Sequence, residues 1–71
     1  MVALNSAERE QLDAIARSRS LPHSLVRRAR IVLMSADGVA NRVIAERCGV
    51  RVPTISHWRR CWRERGVAGL H

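Results

Sequence analysis

The chain has 71 residues, 46% of them apolar, so it forms at most one small domain and is too apolar to remain disordered. No apolar run approaches the ~18 residues of a membrane span, and the first residues lack the pattern of a secretory signal. The two cysteines do not form a disulfide framework, so we expect a cytoplasmic protein. The net charge of +7, carried by thirteen arginines against six acids, is typical of a domain that meets nucleic acid or an anionic membrane surface.

The first predicted helix runs roughly from Ser6 to Arg19. Asn5 is the expected N-cap, and Glu8, three residues later, completes a capping-box pattern. The apolar residues of this segment share one face: Leu12, Ile15 and Ala16.

The second predicted helix starts near Pro22 and ends by Asp37, with Gly38 as the stop. A broad apolar stripe covers much of it: Leu25, Val26, Ala29, Val32, Leu33 and Ala36, extended by Ile31 and Met34. The stripe predicts the centre of the core. Three arginines in its first half leave the alternative of a helix lying on a membrane, but core packing is favoured because the other helices need this stripe. Ile31 and Met34, if exposed, could form a dimer patch, and here too core packing is favoured.

The third helix is expected at Asn41 to Cys48, and the fourth at about Val52 to Arg65, ending at Gly66. The last six residues show no strong pattern, and nothing in the chain has the alternation of a strand. The prediction is an all-α bundle of about four helices forming a single domain over residues 1–71.

The joint between the third and fourth helices has the dimensions of a helix-turn-helix. Ala45 is small where the two helices meet, and Gly49 stands where the chain turns with a positive φ that only glycine adopts cheaply. Pro53 suits the first turn of the fourth helix, while Ile55 and Trp58 are spaced to pack inward.

The fourth helix is predicted to have two unlike faces. Ile55, Trp58 and Trp62 lie within about 60° of one another at 100° per residue. The opposite side supplies the base-reading candidates for a helix in a DNA major groove: Pro53, Ser56, His57 and Arg60.

Arginines near this helix provide phosphate-binding candidates: Arg42, Arg51, Arg59 and Arg63. Residues 41–71 hold seven arginines and two acids (net +5), against six arginines and four acids (net +2) in residues 1–40. The second half is therefore the expected contact surface, and double-stranded DNA the expected partner.

These residues resemble a known family. The segment 25–70 is similar to the N-terminal DNA-binding region of bacterial transposases of the insertion-sequence-630 family, within the mariner-like superfamily. Residues 4–20 also resemble the start of those proteins, so the resemblance covers nearly the whole chain. The motifs that carry the resemblance are LVRRAR (25–30), NRVIA (41–45) and TISHW (54–58). The resemblance implies a homeodomain-like or paired-like helix-turn-helix that binds transposon ends in the bacterial nucleoid.

Two departures from that family stand out. Arg51 and Pro53 replace a serine and another polar residue that are common there, so Arg51 caps the fourth helix poorly. Members of the family also continue into a catalytic domain with three metal-binding carboxylates, and the six acids here form no such triad. We therefore expect no enzymatic activity in this chain, and no cofactor or small-molecule substrate.

Other interpretations of the sequence remain beside a DNA-binding domain of a transposase. Cys48, His57 and Cys61 fit no common zinc spacing and are expected to be two small apolar residues and a DNA contact. A transcriptional regulator with the same fold is the first alternative to a transposase, and a helical dimerisation module is the second. A homodimer is compatible with each of them.

Overall fold

The computed structural model describes residues 3–70, so residues 1, 2 and 71 of the domain predicted over 1–71 lie outside it. Four α-helices follow one another: α1 (Ser6–Arg17), α2 (His23–Ala36), α3 (Asn41–Cys48) and α4 (Val52–Arg65). A 3-10 helix, η1 (Gly66–Leu70), follows directly. Residues 3–70 contain no strand, which confirms the all-α prediction.

The predicted start of α1 is confirmed in detail. The Glu8 N–H donates to Asn5 Oδ1 at 2.8 Å, and the Asn5 N–H donates to Glu8 Oε1 at 3.1 Å, which is a complete capping box. The predicted end at Arg19 is wrong by two residues. Ser18 is extended, and its hydroxyl accepts from the N–H groups of Ser20 and Leu21, so a local side-chain bond replaces further helix.

Two apolar clusters form the core. The first joins α1, α2, α4 and η1, and its buried members are Leu12, Leu25, Ala29, Val32, Trp62 and Leu70. The second joins α2, α3 and α4, and its buried members are Ile31, Ile44, Ala45 and Ile55. Trp58 packs against both, so α4 is anchored along its length. The α2 stripe lies at the centre, as predicted, and Ile31 is buried rather than available as a dimer patch.

The corner between α3 and α4 is a tight helix end. Gly49 has φ +67° and ψ 35°, and the Val50 N–H donates to the Ala45 carbonyl at 3.0 Å. This is the bond that accompanies a left-handed glycine after a helix. The predicted role of Gly49 is confirmed, and Ala45 is 6% exposed between the two helices.

The C-terminal segment has a structure for which the sequence makes no prediction. Residues 66–70 show no strong pattern, yet they form η1, and the Leu70 side chain is completely buried in the first cluster. At Gly69 a Cβ would clash with the Cys61 carbonyl, so η1 lies directly against the end of α4. The tail therefore belongs to the core.

Replacing Gly49 should test the corner. A Cβ at Gly49 meets nothing within 4 Å, so Gly49→Ala costs only backbone strain, about 1–2 kcal/mol of the free energy of unfolding. Gly49→Asn should cost less, because asparagine tolerates left-handed backbone better than alanine does. Urea unfolding measures both, and equal losses would argue against strain as the cause.

Replacing Leu70 should test the tail. Leu70→Ala removes a fully buried side chain and should lower the free energy of unfolding by about 2–5 kcal/mol. Leu21→Ala is the matched control, because Leu21 is 40% exposed and its loss should change stability by about 0.5 kcal/mol or less. Similar thermal unfolding curves for the two variants would contradict the packing of η1.

Candidate nucleic-acid interface

One side of α4 is buried and the other is free. Ile55 is 0% exposed and Trp62 is 5% exposed, while Trp58 is half-buried between the two clusters. The opposite side carries no large apolar residue, and all its members are exposed: Pro53, Ser56, His57, Arg60 and Glu64. The four base-reading candidates, Pro53, Ser56, His57 and Arg60, thus lie together on one exposed surface of α4, called the ridge below. The opposite side of α4 is packed against the core.

Three of the four phosphate-binding candidates are exposed around this ridge. Arg51 precedes α4 and supplies no side-chain cap, as predicted, Arg42 lies in the first turn of α3, and Arg63 lies in the last turn of α4. None of their side chains makes a hydrogen bond or ion pair with another residue of the range 3–70. Their guanidinium groups are therefore available to an external anion.

Arg59, the fourth candidate, is placed differently. Its side chain is partly buried, and Nη1 donates to Asn41 Oδ1 at 2.8 Å. The contact links α4 to the first residue of α3, across the helix-turn-helix. Arg59 is thus oriented by a neighbour instead of extending freely along the flank of α4.

His57 is held by its neighbours on α4. Its Nε2 lies 3.6 Å from Cys61 Sγ, one helical turn away, and its ring meets the Trp58 ring edge-on, with centroids 4.7 Å apart and planes at 72°. These contacts restrict the imidazole while leaving it exposed on the ridge.

Cys48 lies in different surroundings from Cys61, which contacts His57. Cys48 packs on the second cluster, and burial raises the pKa of its thiol, against the opposing effect of Arg27 and Arg30. Within residues 3–70 no three side chains among His, Cys, Asp and Glu come together as a metal site.

The fold agrees with a comparison against protein families. The family model described as a homeodomain-like domain matches residues 22–70, which include α2, α3, α4 and η1. The chain belongs to the homeodomain-like family. The match identifies a helix-turn-helix domain of the DNA-binding type, with α3 and α4 as the bent pair.

Searches of curated proteins and of solved structures give no significant match. The α1 helix precedes the matched region, and it covers α2 through Leu12. An exposed ion pair of 2.6 Å between Arg9 and Asp37 also joins α1 to the end of α2.

Sequence reasoning missed the role of Arg28. Its guanidinium carbon lies 4.2 Å from the Trp58 ring centroid, and its Nη1 donates to the Leu70 carbonyl at 2.8 Å. Arg28 therefore ties α2 to both α4 and η1. No signal in the sequence separated it from Arg27 and Arg30, because its partners lie thirty or more residues away.

A second basic surface of the homeodomain-like domain lies away from α4. A groove of about 320 Å³ between α2 and α3 is lined by His23, Val26, Arg27, Arg30, Met34, Arg47 and Cys48. No residue of α4 lines it, so positive charge is not confined to the ridge. Among residues 3–70, no helix is both long enough and apolar enough to cross a bilayer.

Removing Arg28 should weaken the fold. Arg28→Ala loses a cation–π contact and a charge-assisted hydrogen bond, and we expect the free energy of unfolding to fall by about 1–3 kcal/mol. Arg27→Ala is the control, because it removes the same charge from an exposed neighbour and should cost about 0.5 kcal/mol or less. Urea unfolding would contradict the assignment if both variants lost the same stability.

Proposed function

We propose that this chain binds double-stranded DNA sequence-specifically, with α4 in the major groove, and that it recognises transposon ends as the DNA-binding part of a transposase. The observation that carries the proposal is the two-sided helix α4. Its apolar side is anchored in both core clusters, and its polar ridge faces outward. A helix of 14 residues is about 21 Å long and fits the major groove, which is about 12 Å wide.

The ridge residues have the chemistry that base reading needs. Arg60 can donate two parallel hydrogen bonds to the O6 and N7 atoms of guanine, the commonest specific contact in protein–DNA recognition. Ser56 and His57 offer groups that donate or accept hydrogen bonds, and Pro53 adds an apolar ring without an N–H donor at the start of the helix. Their common exposure supports a joint role in reading the base edges.

The surrounding arginines suit the DNA backbone. Arg42, Arg51 and Arg63 are exposed beside the ridge, and Arg59 is oriented by Asn41. Phosphate contacts fix register without reading sequence. If about five phosphates are neutralised, the logarithm of affinity should fall with the logarithm of salt concentration with a slope of roughly −4 to −5.

The assignment to transposition rests on resemblance in the motifs at residues 25–30, 41–45 and 54–58. A transcriptional regulator would use the same ridge. The two are separated by selecting bound duplexes from a random pool and comparing the selected site with the genome. A site within inverted repeats that flank a reading frame with spaced acidic residues supports transposition, and a site in promoters supports regulation.

A dimerisation module is less favoured by the packing. Such a module would place α2 at its interface, but Ile31 is buried and Met34 packs on the second cluster. Among residues 3–70, the exposed large apolar side chains are Leu21 and Val52, and neither belongs to α2.

Two arginine variants should separate base reading from backbone binding. Arg60→Ala should reduce the preference for the selected site over a scrambled duplex, by roughly 1–3 kcal/mol, because a base contact is lost. Arg63→Ala should weaken both duplexes alike and flatten the salt slope by about one unit. Fluorescence anisotropy at several salt concentrations measures both effects.

Arg19→Ala is the charge-matched control. Arg19 is exposed between α1 and α2 and should change neither quantity by much. Parent-like binding by both the Arg60 and Arg63 variants would show that the ridge is not the DNA-binding face.

A further inference from the structure

The groove between α2 and α3 is a surface that the proposed DNA binding does not use. Its volume is about 320 Å³, and no residue of α4 lines it. Its other wall is the end of α3, at Arg47 and Cys48. Four of its residues share one face of α2, within about 60° of one another and over ~16 Å of helix: His23, Arg27, Arg30 and Met34.

The inner part of the groove is apolar. Val26 is 6% exposed, and Met34 and Cys48 are partly buried against the second cluster. These three residues are called the floor below. Methionine is flexible and adapts to partners of different shape. An apolar side chain that covers the floor would leave water for a surface that is already packed from beneath.

The outer part of the groove is strongly basic. Arg27, Arg30 and Arg47 line it and are exposed. In the part of the chain that the structure describes, none of their guanidinium groups has a hydrogen-bond or ion-pair partner, and no Asp or Glu lines the groove. Like charges placed together repel one another, and an acidic partner would relieve that repulsion.

The Cys48 thiol shows that two of these charges act on the floor. Burial raises the pKa of this thiol, and the charges of Arg27 and Arg30 lower it. A charge changes a pKa in this way only from nearby, so both guanidinium groups lie close to the sulfur atom. The positive charge therefore lies beside the apolar floor and is not directed away from it.

We propose that the groove between α2 and α3 docks a short acidic segment of another protein, which lays an apolar side chain on the floor while its carboxylates pair with the arginines. Charge complementarity and the apolar floor call for both chemistries in one partner. About five residues of extended chain span ~16 Å. The inference does not depend on the proposed DNA binding, because α4 takes no part in the groove.

Two other occupants fit the groove less well. The DNA backbone matches the arginines, but its phosphates offer nothing apolar to the floor. A second copy of this chain has a net charge of +7, and its six acids, no two of them adjacent, stand among thirteen arginines. It therefore supplies no acidic segment, and its charge opposes the approach.

The first experiment measures the binding of a labelled peptide in which glutamates flank a central leucine, by fluorescence anisotropy. One control peptide has serine in place of the leucine, and binding should weaken about tenfold because the apolar burial is lost. The other has glutamines in place of the glutamates and should bind more weakly, without the salt dependence of the acidic peptide. Equal binding of the three peptides, or binding of none, overturns the proposal.

Charge reversal tests whether the acidic peptide lies in the groove. Arg30→Glu and Arg47→Glu should each weaken its binding roughly five- to tenfold, because an attractive contact becomes repulsive. Arg19→Glu is the matched control, because Arg19 is also exposed but does not line the groove; it should change the affinity by less than about twofold. Thermal unfolding confirms that each variant is folded. An equal loss in the control would reduce the binding to general attraction to a basic chain and overturn the proposal.

The two cysteines provide a second test that needs no variant. Cys48 lines the groove, whereas Cys61 lies on α4 beside His57, and both are partly exposed. The uncharged reagent N-ethylmaleimide modifies both thiols, and mass spectrometry gives the rate at each. The leucine-bearing acidic peptide should slow the modification of Cys48 as it fills the groove and leave that of Cys61 unchanged. Slowing at Cys61 alone, or equally at both thiols, would place the peptide elsewhere and overturn the proposal.

A DNA duplex in place of the peptide separates this inference from the proposed function. With α4 in the major groove, the duplex should slow the modification of Cys61 and leave Cys48 at its free rate. If the duplex slows Cys48 as well, the groove belongs to the DNA interface, and the docking of an acidic protein is overturned. If the duplex slows neither thiol, the proposed DNA binding fails, while the effect of the peptide on Cys48 still decides the role of the groove.

Discussion

Burial of one side of α4 is the constraint on which the rest of the structure depends. Ile55 belongs to one apolar cluster, Trp62 to the other, and Trp58 touches both. Turning α4 about its axis by a single residue, or about 100°, would withdraw these side chains from both clusters. The direction in which Ser56, His57 and Arg60 point is therefore set by apolar packing on the far side of the helix, with no help from a ligand.

The elements around α4 keep that packing in place. Gly49 lets α3 and α4 meet at a tight turn, and Ala45 leaves room between them. Arg28 covers the Trp58 ring from α2, which protects the half-buried aromatic at the point where the clusters join. The ridge of α4, the turn at Gly49 and the contact of Arg28 with Trp58 are thus parts of one arrangement. Each of them depends on interactions with a different helix.

Local features of this fold could be predicted from the sequence, and distant contacts could not. The capping box at Asn5 and Glu8, the span of α3 and the positive φ of Gly49 each follow from residues within one or two turns. The Arg28–Leu70 and Arg59–Asn41 hydrogen bonds join residues 42 and 18 positions apart, and no helical period relates them. The sequence therefore does not indicate which arginine side chains are free and which are bound to other residues. It also does not indicate that Leu70 is buried, because a five-residue segment is too short to show periodicity.

The end of η1 is fixed to the core, and this would restrain any polypeptide joined to it. Leu70 is anchored in the core, and its carbonyl is bound by Arg28 on α2. A polypeptide joined beyond this point would leave from a fixed place on the body of the domain and would not swing from the free end of α4. The effective concentration of a tethered neighbour near bound DNA would then depend on linker length counted from Leu70, and geometry would limit which stretch of duplex that neighbour reaches.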